Sequence, residues 1–130
     1  MAQPQKLLTQ QLREQLPELY ATEMTPLADK VAVAKFFTPD SSWTWYAIEF
    51  DGQDTFFGYV QGLEGEFGYF SLNELEEARG PWGMHVERDA HFQPTPLIDL
   101  DPELRAKAES NRQPEEMELQ VEDEELEQSR

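Results

Sequence analysis

All three Trp and seven of the eight Phe fall between Phe36 and Trp82, and the eighth Phe is Phe92. A chain of 130 residues with its aromatic rings confined to so short a stretch must build its core there. That stretch reads as strands, because aromatic and β-branched side chains pack well on a pleated surface and turn signals divide it into short runs. "KVAVAKFFTP" (Lys30 to Pro39) is a compact apolar strand bounded by the turn "TPDSS". "WTWYAIEFDGQD" puts Trp43, Trp45, Ala47 and Glu49 on one face and Thr44, Tyr46, Ile48 and Phe50 on the other. Both faces are largely apolar, which marks a central strand. Asp51-Gly52 is a hairpin turn. "TFFGYVQGL" and "FGYFSL" follow as two further strands separated by "EGE".

Helical patterns flank these strands. Leu7, Leu8, Leu12, Leu16 and Leu19 recur near a 3.6-residue period in "QKLLTQQLREQLPELY", with Thr9 as a cap and Pro17 as the stop. In "SLNELEEARG", Ser71 is an N-cap and Glu74 completes a capping box, while Gly80 stands where a C-terminal glycine belongs. Leu72, Leu75 and Ala78 share its inner face. "MHVERDAHF" reads as a last extended segment, closed by "QPTP". The expected fold is therefore α+β. One domain over residues 1–98 has an antiparallel sheet of four or five strands, packed by the N-terminal helix and by a helix at 72–79. Residues 99–130 form an acidic extension, partly helical or disordered, in which "DPELRAKAES" is the helical portion and Asp99 or Asp101 its cap.

The net charge is −17, and it is not only a tail effect. Residues 99–130 hold twelve acids and four bases, net −8, which leaves −9 on residues 1–98. Such a surface repels nucleic acid and anionic membranes and attracts basic partners. With no cysteine, thiolate metal sites and Cys nucleophiles are excluded, as a reducing compartment favours. The N-terminus has no apolar run long enough for a signal peptide, and no stretch approaches the roughly 20 apolar residues of a membrane span. A cytoplasmic protein is expected.

Chemistry, if any, gathers at "MHVERDAHF", where His85, Glu87, Asp89 and His91 alternate on one face of an extended chain. Alternate positions over seven residues spread about 20 Å at roughly 3.3 Å per residue, too far for one ion, and no third imidazole exists. No metal and no cofactor are expected. Nor does any spacing single out a raised-pKa carboxylate pair, a nucleophile elbow or a phosphate loop. The unit then reads as structural. Arg88 would fork onto a carboxylate of the helix at 74–79, and Arg79 or Lys35 would pair with Glu87 and Asp89. His91 would hydrogen-bond a carbonyl or carboxylate, and Phe92 would enter the core. A separate aromatic surface is expected where Tyr59 and Tyr69 face each other across a hairpin beside Arg79 and Arg88, with Trp82 also exposed for binding.

The ordered pieces "FTP" with "TW" following, "E-x-GY-x-SL-x-EL" at Glu66 to Leu75, "RG-x-x-G" at Arg79 to Gly83 and "ERD-x-HF" at Glu87 to Phe92 form a pattern. Over roughly residues 5–97 it resembles a small bacterial family called domain of unknown function 2958, often described as plasmid-related. The resemblance implies a small α+β protein of mobile elements and carries no activity with it. His85 and the extension after Asp99 lie outside the shared pattern.

Together these readings favour a non-enzymatic acidic binding protein that engages a basic protein and does not bind nucleic acid or membrane directly. Its sharpest form is a DNA mimic, with carboxylates standing in for phosphates in the basic groove of a nucleic-acid-binding or defence protein. The rival is a small hydrolase or metal-dependent enzyme using Glu87, Asp89 and His91.

Overall fold

The computed structural model describes residues 6–111. Its centre is an antiparallel sheet of five strands: β2 (Ala34–Phe37), β3 (Thr44–Phe50), β4 (Thr55–Gln61), β5 (Gly65–Ser71) and β6 (Glu87–Arg88). They lie in the order β5-β4-β3-β2-β6, so β3 is the middle strand as its two apolar faces required. The run from Lys30 to Pro39 is two strands rather than one. β1 (Val31–Ala32) leaves the main sheet and pairs with β7 (Thr95–Pro96), and the break falls at Val33. Only Glu87 and Arg88 of "MHVERDAHF" join the ladder, opposite Phe37 and Phe36.

Strict alternation along β3 fails at one point. Ala47 lies opposite Gly58 and Glu49 opposite Phe57, so Ile48 is an extra residue in a β-bulge. An inserted residue reverses the parity of everything after it. Trp45 and Ala47 face one side and Tyr46 and Ile48 the other, but Phe50 returns to the side of Ala47. Glu49, expected beside Ala47, instead turns to the opposite face. There its buried carboxylate accepts the Tyr20 N–H at 2.7 Å, the Thr22 N–H at 2.9 Å and the Thr22 hydroxyl. Those bonds hold the chain at 20–22 across the sheet, with Tyr20 in a left-handed conformation (φ 71°).

The first face is covered by the N-terminal segment and by α2 (Leu72–Glu77). Leu7, Leu8 and Leu16 bury against Val33, Phe36, Ala47, Phe50 and Phe56, joined by Leu72, Leu75 and Val86. The N-terminal helix α1 (Gln10–Gln15) is shorter than its leucine pattern. Thr9 caps it by accepting the Leu12 N–H, and it stops at Leu16 because Pro17 follows. Ser71 caps α2 by accepting the Glu74 N–H. The end of α2 differs from expectation: Ala78 is the C-cap, and the Arg79 guanidinium donates to the carbonyls of Glu76, Glu77 and Ala78. Gly80 has a different task. A Cβ there would fall 1.6 Å from Asp40 Oδ1, and Asp40 Oδ2 accepts the Trp82 and Met84 N–H groups, pinning the loop.

The second face is covered by residues from 92 onward. Ala32, Tyr46, Ile48 and Tyr59 pack with Leu97 and Leu104, flanked by Leu27, Phe57, Phe92 and Leu100. A helix at 102–111, here α3, follows "DP" as expected, with Asp101 as its cap through the Glu103 N–H at 2.9 Å. Leu104 and Ala108 are buried, so packing runs past the 98/99 composition boundary. The acidic run beyond 111 lies outside the described residues. The Glu49 carboxylate is the cross-brace of this face. Glu49→Ala, which strands two backbone donors and a hydroxyl, should lower stability by about 1–3 kcal/mol in denaturant unfolding.

Candidate binding surface

The "ERD-x-HF" unit forms a latch between strands and termini. Arg88 projects to the first face and donates to the carbonyl oxygens of Lys6 and Leu7, the latter at 3.1 Å. β6 lies at the opposite edge of the sheet from β5, and these two carbonyls belong to the N-terminal segment. Asp89 pairs with Lys35 at 3.9 Å, and its Oδ1 accepts the His91 N–H at 3.0 Å to close a turn. Phe92 then packs on Tyr46, ring centres 6.0 Å apart. The His91 side chain is exposed, and Glu87 sits opposite Phe37. Glu87, Asp89 and His91 are therefore in one short segment without converging. Among the described residues no group of three or more His, Asp or Glu is placed to hold a metal. A polar cleft of about 210 Å³ lies beside the latch, between α1 and residues 88–94, with Thr9, Gln15, Arg88 and Asp89 on its walls.

Tyr59 and Tyr69 do not face each other. Tyr59 lies opposite Phe67, and Tyr69 opposite Phe57. Tyr59 is buried and donates to Asp101 Oδ2 at 2.7 Å; Gln61 donates to the same oxygen at 3.0 Å. Burial first, and then the Asp101 carboxylate, push the Tyr59 phenol well above its usual range. Burial also raises Tyr46, with the negative charges of Asp101 and Asp89 adding to it. For Asp101 itself burial is the largest single influence and acts upward. The bonds from Tyr59, Gln61 and the Glu103 N–H, with the Lys107 charge, outweigh it and hold the carboxyl below the ordinary value. Tyr69 is 57% exposed, and its phenol is raised chiefly by a hydrogen bond with Tyr20 and also by the Glu49 and Glu23 charges. Arg79, Arg88, Tyr59, Tyr69 and Trp82 are thus not one patch.

What the surface does assemble is an indole among carboxylates. Trp43 lies against Gly62, where a Cβ would meet the ring at 2.5 Å, and its ring centre is 6.0 Å from that of Trp45. Trp43, Val60 and Leu63 line a hollow of about 350 Å³, and Glu64 and Glu66 rim it. Leu63 is 97% exposed at the hairpin tip. A second hollow of similar size continues from Trp43 and Trp45 to Ala78, Arg79 and Pro81. Trp82 stands exposed on the Asp40-pinned loop. An apolar floor with acidic walls suits a lysine or arginine stem whose charged head meets a carboxylate and an indole face. The sequence does not single out Trp43, Leu63, Glu64 and Glu66 as a group, since only the hairpin register brings them together.

The bases offset less than half of the acidity. Residues 6–111 hold nineteen acids and eight bases, net −11. Arg13, Lys30, Arg79 and Arg88 each donate to main-chain carbonyls. Among the described residues only Lys35–Asp89 and Arg105–Asp99 are ion pairs.

Two outcomes follow from these contacts. Arg88→Met, which keeps the stem and loses the donors to Lys6 and Leu7, should lower stability by about 1–3 kcal/mol in denaturant unfolding. Asp101 gives a pH signature. A depressed folded-state pKa stabilises wherever the unfolded chain's aspartate is charged, above about pH 4, and that contribution is lost as pH falls through the lower folded value. The stability gap between the native chain and Asp101→Asn should therefore be constant near neutrality and shrink below about pH 4 in pH-dependent melts.

Searches among curated proteins and solved structures found no match. One family model does match, that described as protein of unknown function (DUF2958), over residues 7–110, past the limit near 97 expected from the motifs. Among the described residues no helix is long and apolar enough to cross a membrane. With the match covering most of its length and both packed faces of its sheet, the chain belongs to the DUF2958 family.

Proposed function

We propose that this protein is a non-enzymatic acidic binding protein that engages a basic protein partner in the cytoplasm. The carrying observation is the acidity of the fold itself: residues 6–111 carry net −11, and Arg13, Lys30 and Arg79 donate to backbone carbonyls. Carboxylates left without cations generate a lasting negative potential, which draws basic surfaces and speeds their encounter. The Trp43 hollow rimmed by Glu64 and Glu66 supplies the apolar contact that charge alone lacks. In its most specific form the protein is a DNA mimic. It would occupy the phosphate-binding groove of a nucleic-acid-binding or defence protein, a role suited to the plasmid-related setting that the family resemblance implies.

The test is salt dependence. Binding of the full chain to a lysine-rich peptide should weaken at least about tenfold between 50 and 200 mM salt, as counter-charge pairing requires. Duplex DNA should compete with the chain for a basic DNA-binding protein. Affinity indifferent to salt overturns the electrostatic reading, and failure to compete with DNA overturns the mimic.

A further inference from the structure

The two ends of the sheet are unlike. At one end β6 has two residues and runs straight into the Asp89 turn. At the other, β5 is seven residues long and pairs with β4 without a register shift from Thr55–Ser71 to Gln61–Gly65. Among the described residues no strand lies beyond it.

Which backbone groups face outward follows from parity. The Leu72 N–H donates to the Asp54 carbonyl at 2.8 Å, and at the far end the Gly62 N–H donates to Glu64 at 3.0 Å. Antiparallel pairs alternate between bonded and non-bonded. Residues 66, 68 and 70 therefore bond to β4, while Gly65, Phe67 and Tyr69 turn their N–H and C=O groups to the open edge. The side chains of Phe67 and Tyr69 are also exposed, at 39% and 57%. Long edges of this kind are usually blunted by proline, lysine or a bulge. β5 has none of these, and its single charge is Glu66.

Gly68 sharpens the point. A Cβ at Gly58 or Gly65 would collide with Tyr46 or Tyr59, so the fold requires glycine there. At Gly68 a Cβ would meet nothing within 4 Å, and the backbone is not left-handed. Glycine inside a strand weakens it and often marks the close approach of another chain. Nothing within this fold accounts for it.

We infer that the open edge of β5 is a docking edge, to which an extended basic segment of a partner protein adds as a sixth strand. This rests on the proposed binding of a basic protein and names where and how. Charge selects the occupant. Glu64 and Glu66 stand on the first face, and Glu49 and Glu23 lie near Tyr69 on the second, so a cationic strand is attracted whereas a second copy carrying −17 is repelled. Strand addition takes affinity from main-chain bonds and specificity from alternate side chains. The guest would put apolar residues opposite Phe67 and Tyr69, and lysine or arginine opposite Glu66, within reach of the Trp43 hollow.

The experiment uses the full chain and an end-capped peptide of about twelve alternating lysines and valines, long enough to span β5. In isotope-edited spectra the Phe67 and Tyr69 amides should move downfield on binding. Methylating the valine nitrogens, which face β5 in this pairing, should weaken binding at least about tenfold, and so should Phe67→Pro, which removes an outward donor and no bond to β4. Phe67→Lys, with its backbone intact, should weaken binding likewise if the proline variant fails to fold. Salt-sensitive binding unaffected by all of these overturns edge docking and leaves the basic-partner reading standing. Absence of binding at low salt overturns both. Sedimentation showing a native dimer that Phe67→Lys dissolves assigns the edge to a second copy and overturns the inference.

Discussion

Everything in this fold depends on burying β3 on both faces. A strand flanked by β2 and β4 and carrying Trp45, Ala47 and Phe50 to one side and Tyr46 and Ile48 to the other cannot remain half open to water. The two covers come from opposite ends of the chain. The N-terminal leucines and α2 close one face, and residues 97–108 close the other. The bulge at Ile48 lets both be satisfied, because it returns Phe50 to the first face and frees Glu49 to brace the second. The latch at Arg88 and the knot of Tyr59, Gln61 and Asp101 then tie each cover to the sheet with polar groups that are bonded rather than left in the core.

With both faces occupied, what remains for function is the rim: loops, hairpin tips and the β5 edge. There the molecule combines two features that seldom coexist without purpose, large exposed apolar side chains and a high density of one charge. Trp43, Leu63 and Trp82 would each lie lower in free energy if covered, yet they stand beside Glu64, Glu66 and Asp40, which keep the protein dispersed by mutual repulsion. Such a surface discriminates by sign. Its negative potential repels anions and attracts cations.

The strands and helix caps were legible because their signals are local. Thr9 and Ser71 cap where they stand, Pro17 stops α1, and β3 reads as central from its own residues. The bulge was not legible, since no residue type marks Ile48 as the inserted one and the choice is made by packing on both sides. The bonds from Arg88 to carbonyls more than eighty positions earlier were not legible either, because only the closed N-terminal segment presents them. Leu104 and Ala108 were hidden by the acidic residues around them, as two apolar positions make too faint a stripe to read. Gly80 was read as a helix end because that is where glycine usually serves, whereas the close approach of Asp40 is a tertiary fact.

Two covers on one sheet should make one cooperative unit. The most direct measurement is thermal unfolding by circular dichroism of chains ending at residue 111 and at residue 98. The longer chain should melt in a single sharp transition. The shorter, with Tyr46, Ile48 and Tyr59 stripped of Leu104 and of Asp101, should lose cooperative melting altogether. Equal, sharp melts for both chains would contradict the dependence of the sheet on its second cover.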